Sequence, residues 1–261
     1  MTTSSPTSVW PPIWSELYDA MDVDRQLHLA FYTGLVTDQT RSLLDLGCGT
    51  GSITVAMAAR MPAGATVTGV DLSERMIEIA AARAPAHRWL VGDICAPPVQ
   101  GGHDLITICF HTLQVLPTIA DLDRALSAIA GLLSPTGRFA FDIYQPNESW
   151  LARVSPESVV ARSFVGADGR WIDVVESNAA YDPVTRILSG EWRLFDRETG
   201  VMLPHEPIVQ RVRQFSAADI AAALGRAGLE ALECYGELDG RPLTPDSKRQ
   251  AYVCRRIGAL D

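Results

Sequence analysis

The stretch Leu43-Leu44-Asp45-Leu46-Gly47-Cys48-Gly49-Thr50-Gly51 constrains this chain more than any other. A short apolar run ends in an acid and three alternating glycines, and an alanine-rich helical pattern over residues 52–61 follows at once. Glycine lets the backbone turn sharply and approach a ligand with no Cβ in the way. The first turn of the helix offers backbone N–H groups that have no partner within the helix. Strand, glycine loop and helix in that order open an α/β unit, and open α/β sheets bind ligands beyond the carboxyl ends of their strands.

The spacing narrows the ligand. A dinucleotide loop has the form GxGxxG, which seats a pyrophosphate on the helix. Here the form is GxGxG, with Asp45 two residues before the first glycine. An acid in that place suits a cation, a sulfonium or an ammonium, better than a pyrophosphate. Two more acids follow at strand ends. Val70-Asp71-Leu72 closes a β-branched run and can accept from a ribose diol. Gly92-Asp93-Ile94 closes the next strand, where an acid can accept from an exocyclic amine.

Periodicity supplies the rest of the architecture. Residues 13–36 read as helical, with Leu17, Met21, Leu27, Phe31 and Leu35 at turn-like spacing. Strands are expected at 42–46, 66–70, 88–91, 104–109 and 138–144, alternating with helices at 52–61, 74–84 and 121–133, the last closed by Ser134-Pro135-Thr136-Gly137. That alternation predicts a mainly parallel sheet with helices on both faces. After Pro146 the rhythm changes to consecutive strands at 159–165, 171–181, 186–195 and 208–215, which predicts an antiparallel insert. Ser216 and Asp219 then form a capping-box pattern for a helix, and strands at 229–235 and 250–255 close the chain. The expected fold class is α/β: a Rossmann-like, seven-stranded, mainly parallel sheet flanked by helices, with an inserted antiparallel β-subdomain. The expected division is a disordered tail over 1–12, N-terminal helices or lid over 13–40, a ligand-binding core over 41–145, the substrate-side insert over 146–215 and the remaining core over 216–261.

Composition excludes some classes. A net charge of −9 with no basic cluster argues against a nucleic-acid partner. No apolar run reaches membrane-spanning length, and the first residues carry no basic or apolar leader pattern. No membrane partner and a cytoplasmic location are expected. Cys48, Cys95, Cys109, Cys234 and Cys254 show no metal-ligand spacing, so reduced thiols and no metal are expected.

LLDLGCGTG, VDLS and GDI, in that order and spacing, resemble the motifs of the class I S-adenosylmethionine-dependent methyltransferases. The resemblance is strong over about residues 40–145. It extends through Arg211–Gly228 and TPDSKRQAYVCRR to a bacterial small-molecule subgroup that carries an antiparallel insert after the fifth strand. It implies that Gly47, Gly49 and Gly51 pass beneath the methionine part of the cofactor S-adenosylmethionine, with Cys48 packing between them. Asp45 would hold the loop and face the amino group, directly or through water. Asp71 would bind the ribose, Leu72 and Met76 would flank the adenine, and Asp93 with the Ile94 backbone would take its amine. The backbone at Cys109-Phe110 would reach the amino group, and Tyr18 would close over the cofactor.

The acceptor side is less defined. His111 follows the fourth strand and is either a general base or a hydrogen-bonded wall residue. Asp142 and Tyr144 end the fifth strand on the ligand side, and Tyr144 and His205 are the candidate substrate contacts. Trp150, Trp171 and Trp192 either line an apolar site or pack the insert. The resemblance implies methyl transfer to a small-molecule acceptor through a nitrogen or oxygen nucleophile, in secondary metabolism, by a monomer or homodimer. Two alternatives stay open: a binding protein for the cofactor that transfers nothing, and a nicotinamide-dependent oxidoreductase.

Overall fold

The computed structural model describes residues 12–21 and 25–259, so the expected tail lies outside the described residues except for Pro12. Pro12 opens α1 (Pro12–Met21), where a missing N–H costs nothing. The single helical pattern over 13–36 resolves into α1 and α2 (Arg25–Gly34). The core then runs β1 (Ser42–Leu46), α3 (Ser52–Ala58), β2 (Thr66–Asp71), α4 (Glu74–Arg83), β3 (Arg88–Val91), β4 (His103–Ile108), α5 (Ile119–Leu132) and β5 (Leu133–Tyr144). A short α6 (Glu148–Leu151) leads into β6 (Val159–Val165), β7 (Trp171–Asp182), β8 (Ile187–Asp196) and β9 (Ile208–Arg213). The chain returns to the core through α7 (Ala217–Arg226), β10 (Leu229–Tyr235) and β11 (Arg249–Arg256).

The first sheet has seven strands in the order β3-β2-β1-β4-β5-β11-β10, and β11 alone runs against its neighbours. Helices cover both faces, so β1 and β4 are apolar on both sides and almost wholly buried. Local signals agree with these positions. The Ser73 side chain caps α4 by accepting from the Met76 N–H, Thr118 does the same for α5, and Ser216 with Asp219 forms the expected capping box on α7. Successive connections leave β1 in one direction and β4 in the other. The chain therefore changes winding between β1 and β4, and a crevice opens at their carboxyl ends.

One expected turn is absent as such. Ser134 to Gly137 does not separate α5 from β5. Leu133 already pairs with His103, and pairing resumes at Arg138 with Leu105. The intervening residues bulge from the ladder, because Pro135 has no N–H to give it. Ser134 Oγ instead donates to Asp104 Oδ1 at 3.1 Å.

The second sheet, β6-β7-β8-β9, is antiparallel throughout. Trp14 and Met21 of α1 bury themselves against Phe164, Ile172, Val174, Leu194 and Ile208 of this sheet. The first helix thus belongs to the insert as much as to the core. No helix among the described residues is long and apolar enough to cross a membrane.

Gly51 precedes α3 at φ +74, and a Cβ there would lie 2.7 Å from the Trp89 ring. Gly51→Ala is expected to cost about 2 kcal/mol or more in denaturant unfolding, since the left-handed backbone alone costs about 1–2 kcal/mol. Gly225→Ala, in helix α7 with open space around it, is expected to add about 0.5–1 kcal/mol. Equal effects would contradict the assigned backbone.

Candidate active site

At the crevice, Gly47, Gly49 and Gly51 all hold positive φ, which folds the loop back over the end of β2. The N–H groups of Gly47 and Cys48 donate to the Val70 carbonyl at 2.7 and 3.1 Å. Asp71 Oδ2 accepts from the Gly49 N–H at 2.9 Å, and Oδ1 accepts from the Ser73 N–H at 2.8 Å. Burial raises the Asp71 carboxyl above its ordinary range, against these backbone hydrogen bonds. Each of its oxygens keeps a lone pair for a further donor. A Cβ on Gly47 or Gly51 would strike a side chain, whereas one on Gly49 would meet only the Tyr18 ring, at 3.8 Å. Gly49 is therefore where the loop shows bare backbone to the crevice, beneath Tyr18.

Asp45 lies under this loop and faces inward. Its carboxylate, 1% exposed, accepts from Thr54 Oγ1 at 2.5 Å and Thr107 Oγ1 at 2.8 Å, with the Cys109 thiol at 3.8 Å. Burial pushes its pKa up to about 6 despite these donors. Each oxygen of this acid is thus engaged by a side chain of α3 or β4 beneath the loop. Cys48 packs against Gly69, whose own Cβ would come within 2.9 Å of the thiol. Leu72 is half-buried beside Asp71, Met76 is buried in α4, Ile94 packs on the main core, and Asp93 is exposed with Oδ1 accepting from the Cys95 N–H at 2.8 Å.

The first helix clasps the loop. Thr50 Oγ1 donates to Asp19 Oδ1 at 2.7 Å, Arg83 pairs with Asp19, and Arg83 Nη1 donates to the Thr50 carbonyl at 2.7 Å. This holds the Tyr18 ring edge-on to Phe110, with centroids 6.4 Å apart. Nothing in the sequence pattern singles out Asp19 or Arg83; they meet only in the fold.

Phe110 and His111, after β4, both adopt left-handed backbone, at φ 56 and 61. For side-chain-bearing residues this costs about 1–2 kcal/mol each. Asp142 of β5, 0% exposed, holds the turn in place. It accepts from Tyr32 Oη at 2.6 Å, the Phe110 N–H at 3.2 Å and His28 Nε2 at 3.3 Å. His111 Nδ1 lies 3.2 Å from Asp142 Oδ2, and Arg249 Nη1 lies 3.7 Å from the same oxygen. Burial would raise the Asp142 carboxyl, but His111, His28 and Tyr32 together hold it well below the ordinary carboxylate range.

His111 is fixed by this arrangement. Arg249 Nη1 contacts its Nε2 at 2.9 Å. A guanidinium only donates, so Nε2 accepts and the ring proton sits on Nδ1, towards Asp142. Burial pushes the imidazole pKa down to about 3, so the ring is neutral at ordinary pH. Its other face stacks on Tyr144 with centroids 3.5 Å apart. His28, His111 and Asp142 bring three ligand-type atoms within 4.8 Å of one another. The Arg249 cation already sits against the same carboxylate and imidazole, so the group is a charge network rather than a metal cage. An acid in the apolar run Phe139-Ala140-Phe141-Asp142-Ile143 was the available signal for this centre; its partners Tyr32, His28 and Arg249 carried none.

Tyr144 also borders a cavity of about 600 Å³ between the end of β5 and the insert sheet. Trp150 and Trp192 line it, whereas Trp171 does not. His205 does not line it either, which corrects its expected substrate role. Its Nε2 accepts from the Leu194 N–H at 2.9 Å, Nδ1 lies 2.7 Å from the Glu206 carbonyl, and its ring stands edge-on to Trp14. Both nitrogens are spent on holding the insert. A larger open depression of about 900 Å³ lies at the opposite, amino ends of β2 and β3, away from the crevice.

Residues 43–137 match the family model described as methyltransferase domain. A putative methyltransferase of Bacillus subtilis, YqeM, is 31% identical over 140 residues, 48% of this chain and 55% of that protein. The dTDP-4-amino-2,3,4,6-tetradeoxy-D-glucose N,N-dimethyltransferase of Saccharopolyspora spinosa is 33% identical over 143 residues, 52% of this chain and 56% of that protein. The chain thus spans about half the length of the curated relatives it matches. The solved structure of the CcbJ methyltransferase of Streptomyces caelestis superposes with a TM-score of 0.76 at 21% identity, covering 94% of this chain and 96% of that one. DesVI of Streptomyces venezuelae superposes at 0.73 and 22% identity, covering 94% and 97%. Residues 43–137 thus match a methyltransferase domain, and the chain has the fold of these solved structures.

The unfolded chain binds a proton at His111 below about pH 6.5, whereas the folded chain does not until about pH 3. Acid therefore favours the unfolded state across that window, and stability rises with pH through it. His111→Asn, which tolerates left-handed backbone, is expected to reduce that slope by up to about 1.4 kcal/mol per pH unit. Denaturant unfolding at several pH values checks this, and an unchanged slope would contradict the buried neutral imidazole.

Proposed function

We propose that this chain is an S-adenosylmethionine-dependent methyltransferase acting on a small-molecule acceptor through a nitrogen or oxygen nucleophile. The observation that carries the reading is a shared edge. Bare glycine backbone and two acids, Asp71 and Asp93, line the ends of β1 to β3, and Tyr144, stacked on His111, borders the 600 Å³ cavity.

The residues present fit the cofactor. Gly49 offers a face that a Cβ would block, roofed by Tyr18. Asp71 keeps acceptor capacity at the end of β2, where a ribose diol would lie, and Asp93 stands exposed at the end of β3, where an adenine amine would lie. Half-buried Leu72 supplies apolar contact for the base, with the Ile94 backbone beside Asp93. The backbone carbonyl of Cys109, which accepts from Thr112 Oγ1 at 2.7 Å and weakly from the Thr112 N–H at 3.4 Å, follows β4 where an ammonium would lie. When bound, the cofactor supplies a methyl group activated on a sulfonium.

The chain's own part is placement. Aligning nucleophile and methyl carbon for in-line attack can contribute about 7–11 kcal/mol. Tyr18 and α1, tied to the loop through Asp19 and Arg83, close the crevice against water. Because Arg249 occupies Nε2 and Asp142 faces Nδ1, His111 has no lone pair to spare, which supports a wall role rather than that of general base. The Tyr144 ring, stacked on it, forms the boundary between crevice and cavity. The dTDP-amino-sugar relative supports a small polar acceptor, and a concave pocket of about 600 Å³ suits a small molecule better than a polymer.

Asp71→Ala is expected to weaken S-adenosylhomocysteine binding more than tenfold in calorimetry, since a charge-assisted ribose contact and the Gly49 tether are both lost. Unchanged affinity would overturn the ribose assignment, and preferential binding of NADH by the wild-type chain would overturn the reading as a whole.

A further inference from the structure

Three basic side chains, Arg153, Arg162 and Lys248, line the 600 Å³ cavity beside Tyr144. Among the described residues none of them makes an ion pair. Arg153 Nε donates to the Ser149 carbonyl at 2.9 Å. Arg162 lies over the Trp192 ring at 4.9 Å and reaches the Met21 carbonyl at 3.5 Å. This convergence stands out in a chain of net charge −9 with 31 acids and 22 basic residues, where carboxylate partners are in surplus. The acids of the cavity do not neutralise it. Glu176 Oε1 accepts from Trp192 Nε1 at 3.2 Å, and Asp246 sits on an exposed loop, which leaves an excess of one positive charge on the lining.

A second observation is independent of charge and is the wall itself. Tyr144 and Trp150 are large aromatic side chains about half exposed at the cavity edge, and Trp192 lies inside. Flat aromatic walls take a ring by stacking.

Resting on the methyl-transfer reading, we propose that this cavity is the acceptor site and that its acceptor is an anionic ring compound. The anion, a phosphate or a carboxylate, lies among Arg153, Arg162 and Lys248. The ring packs on the aromatic wall, which carries the nucleophile to the Tyr144 corner beside the cofactor crevice.

The test uses two matched pairs, each titrated calorimetrically with and without S-adenosylhomocysteine: thymidine 5′-diphosphate against thymidine, and 4-aminobenzoate against 4-aminobenzamide. At least one anion is expected to bind tenfold or more tighter than its neutral partner. The pair that does so identifies the source as phosphate or carboxylate. The Arg153→Gln, Lys248→Gln double variant, at two exposed positions, and Arg162→Gln are each expected to weaken that anion at least tenfold, with the melting temperature and S-adenosylhomocysteine affinity unchanged. Neutral partners that bind as well as the anions, no binding in either pair, or variants that bind like the wild type would each overturn the proposal. Anion binding without any S-adenosylhomocysteine binding would overturn the methyl-transfer reading instead and leave the anion site standing.

Discussion

The Asp142 carboxylate is the point on which the crevice depends. It is wholly enclosed, yet it stays ionised because Tyr32, the Phe110 N–H and His28 donate to it and His111 and Arg249 surround it. A buried charge of this kind is tolerated only while its partners are in place. Those partners come from α2, the turn after β4 and β11. One carboxylate therefore draws three separate segments to the end of β5. The strained Phe110-His111 turn persists because that surrounding structure over-determines it.

That turn stands between the two halves of the site. On one side it faces Tyr18 and the glycine loop, and on the other its His111 ring supports Tyr144 at the cavity edge. The roles of the acids divide accordingly. Asp45 is spent beneath the loop on Thr54 and Thr107, whereas Asp71 and Asp93 remain at the strand ends with capacity for ligand. The basic residues lie on the other side, around the cavity. The Tyr144 corner thus separates the strand-end acids Asp71 and Asp93 from Arg153, Arg162 and Lys248.

Much of the sheet was legible in the sequence because its signals are local. A glycine loop, acids ending β-branched runs, and the capping box of Ser216 and Asp219 each work within a few residues. The four consecutive strands of the insert were legible for the same reason, since turn residues separate them. Ser134 to Gly137 misled because a turn-forming composition is equally compatible with a bulge in a strand. His205 misled because a polar residue on an insert turn can serve the insert itself. The charge network was illegible because His28, Asp142 and Arg249 lie more than 100 residues apart and meet only through sheet order. The direction in which Asp45 faces was also hidden, since it depends on Thr107 in a neighbouring strand.

A crystal structure of the chain with S-adenosylhomocysteine tests the account most directly. The account predicts the nucleoside laid across the ends of β1, β2 and β3, its ribose on Asp71, its amino group at the Cys109 carbonyl and its sulfur turned towards Tyr144 and the cavity. A ligand lying outside this crevice, or a sulfur facing away from the Tyr144 corner, would contradict it.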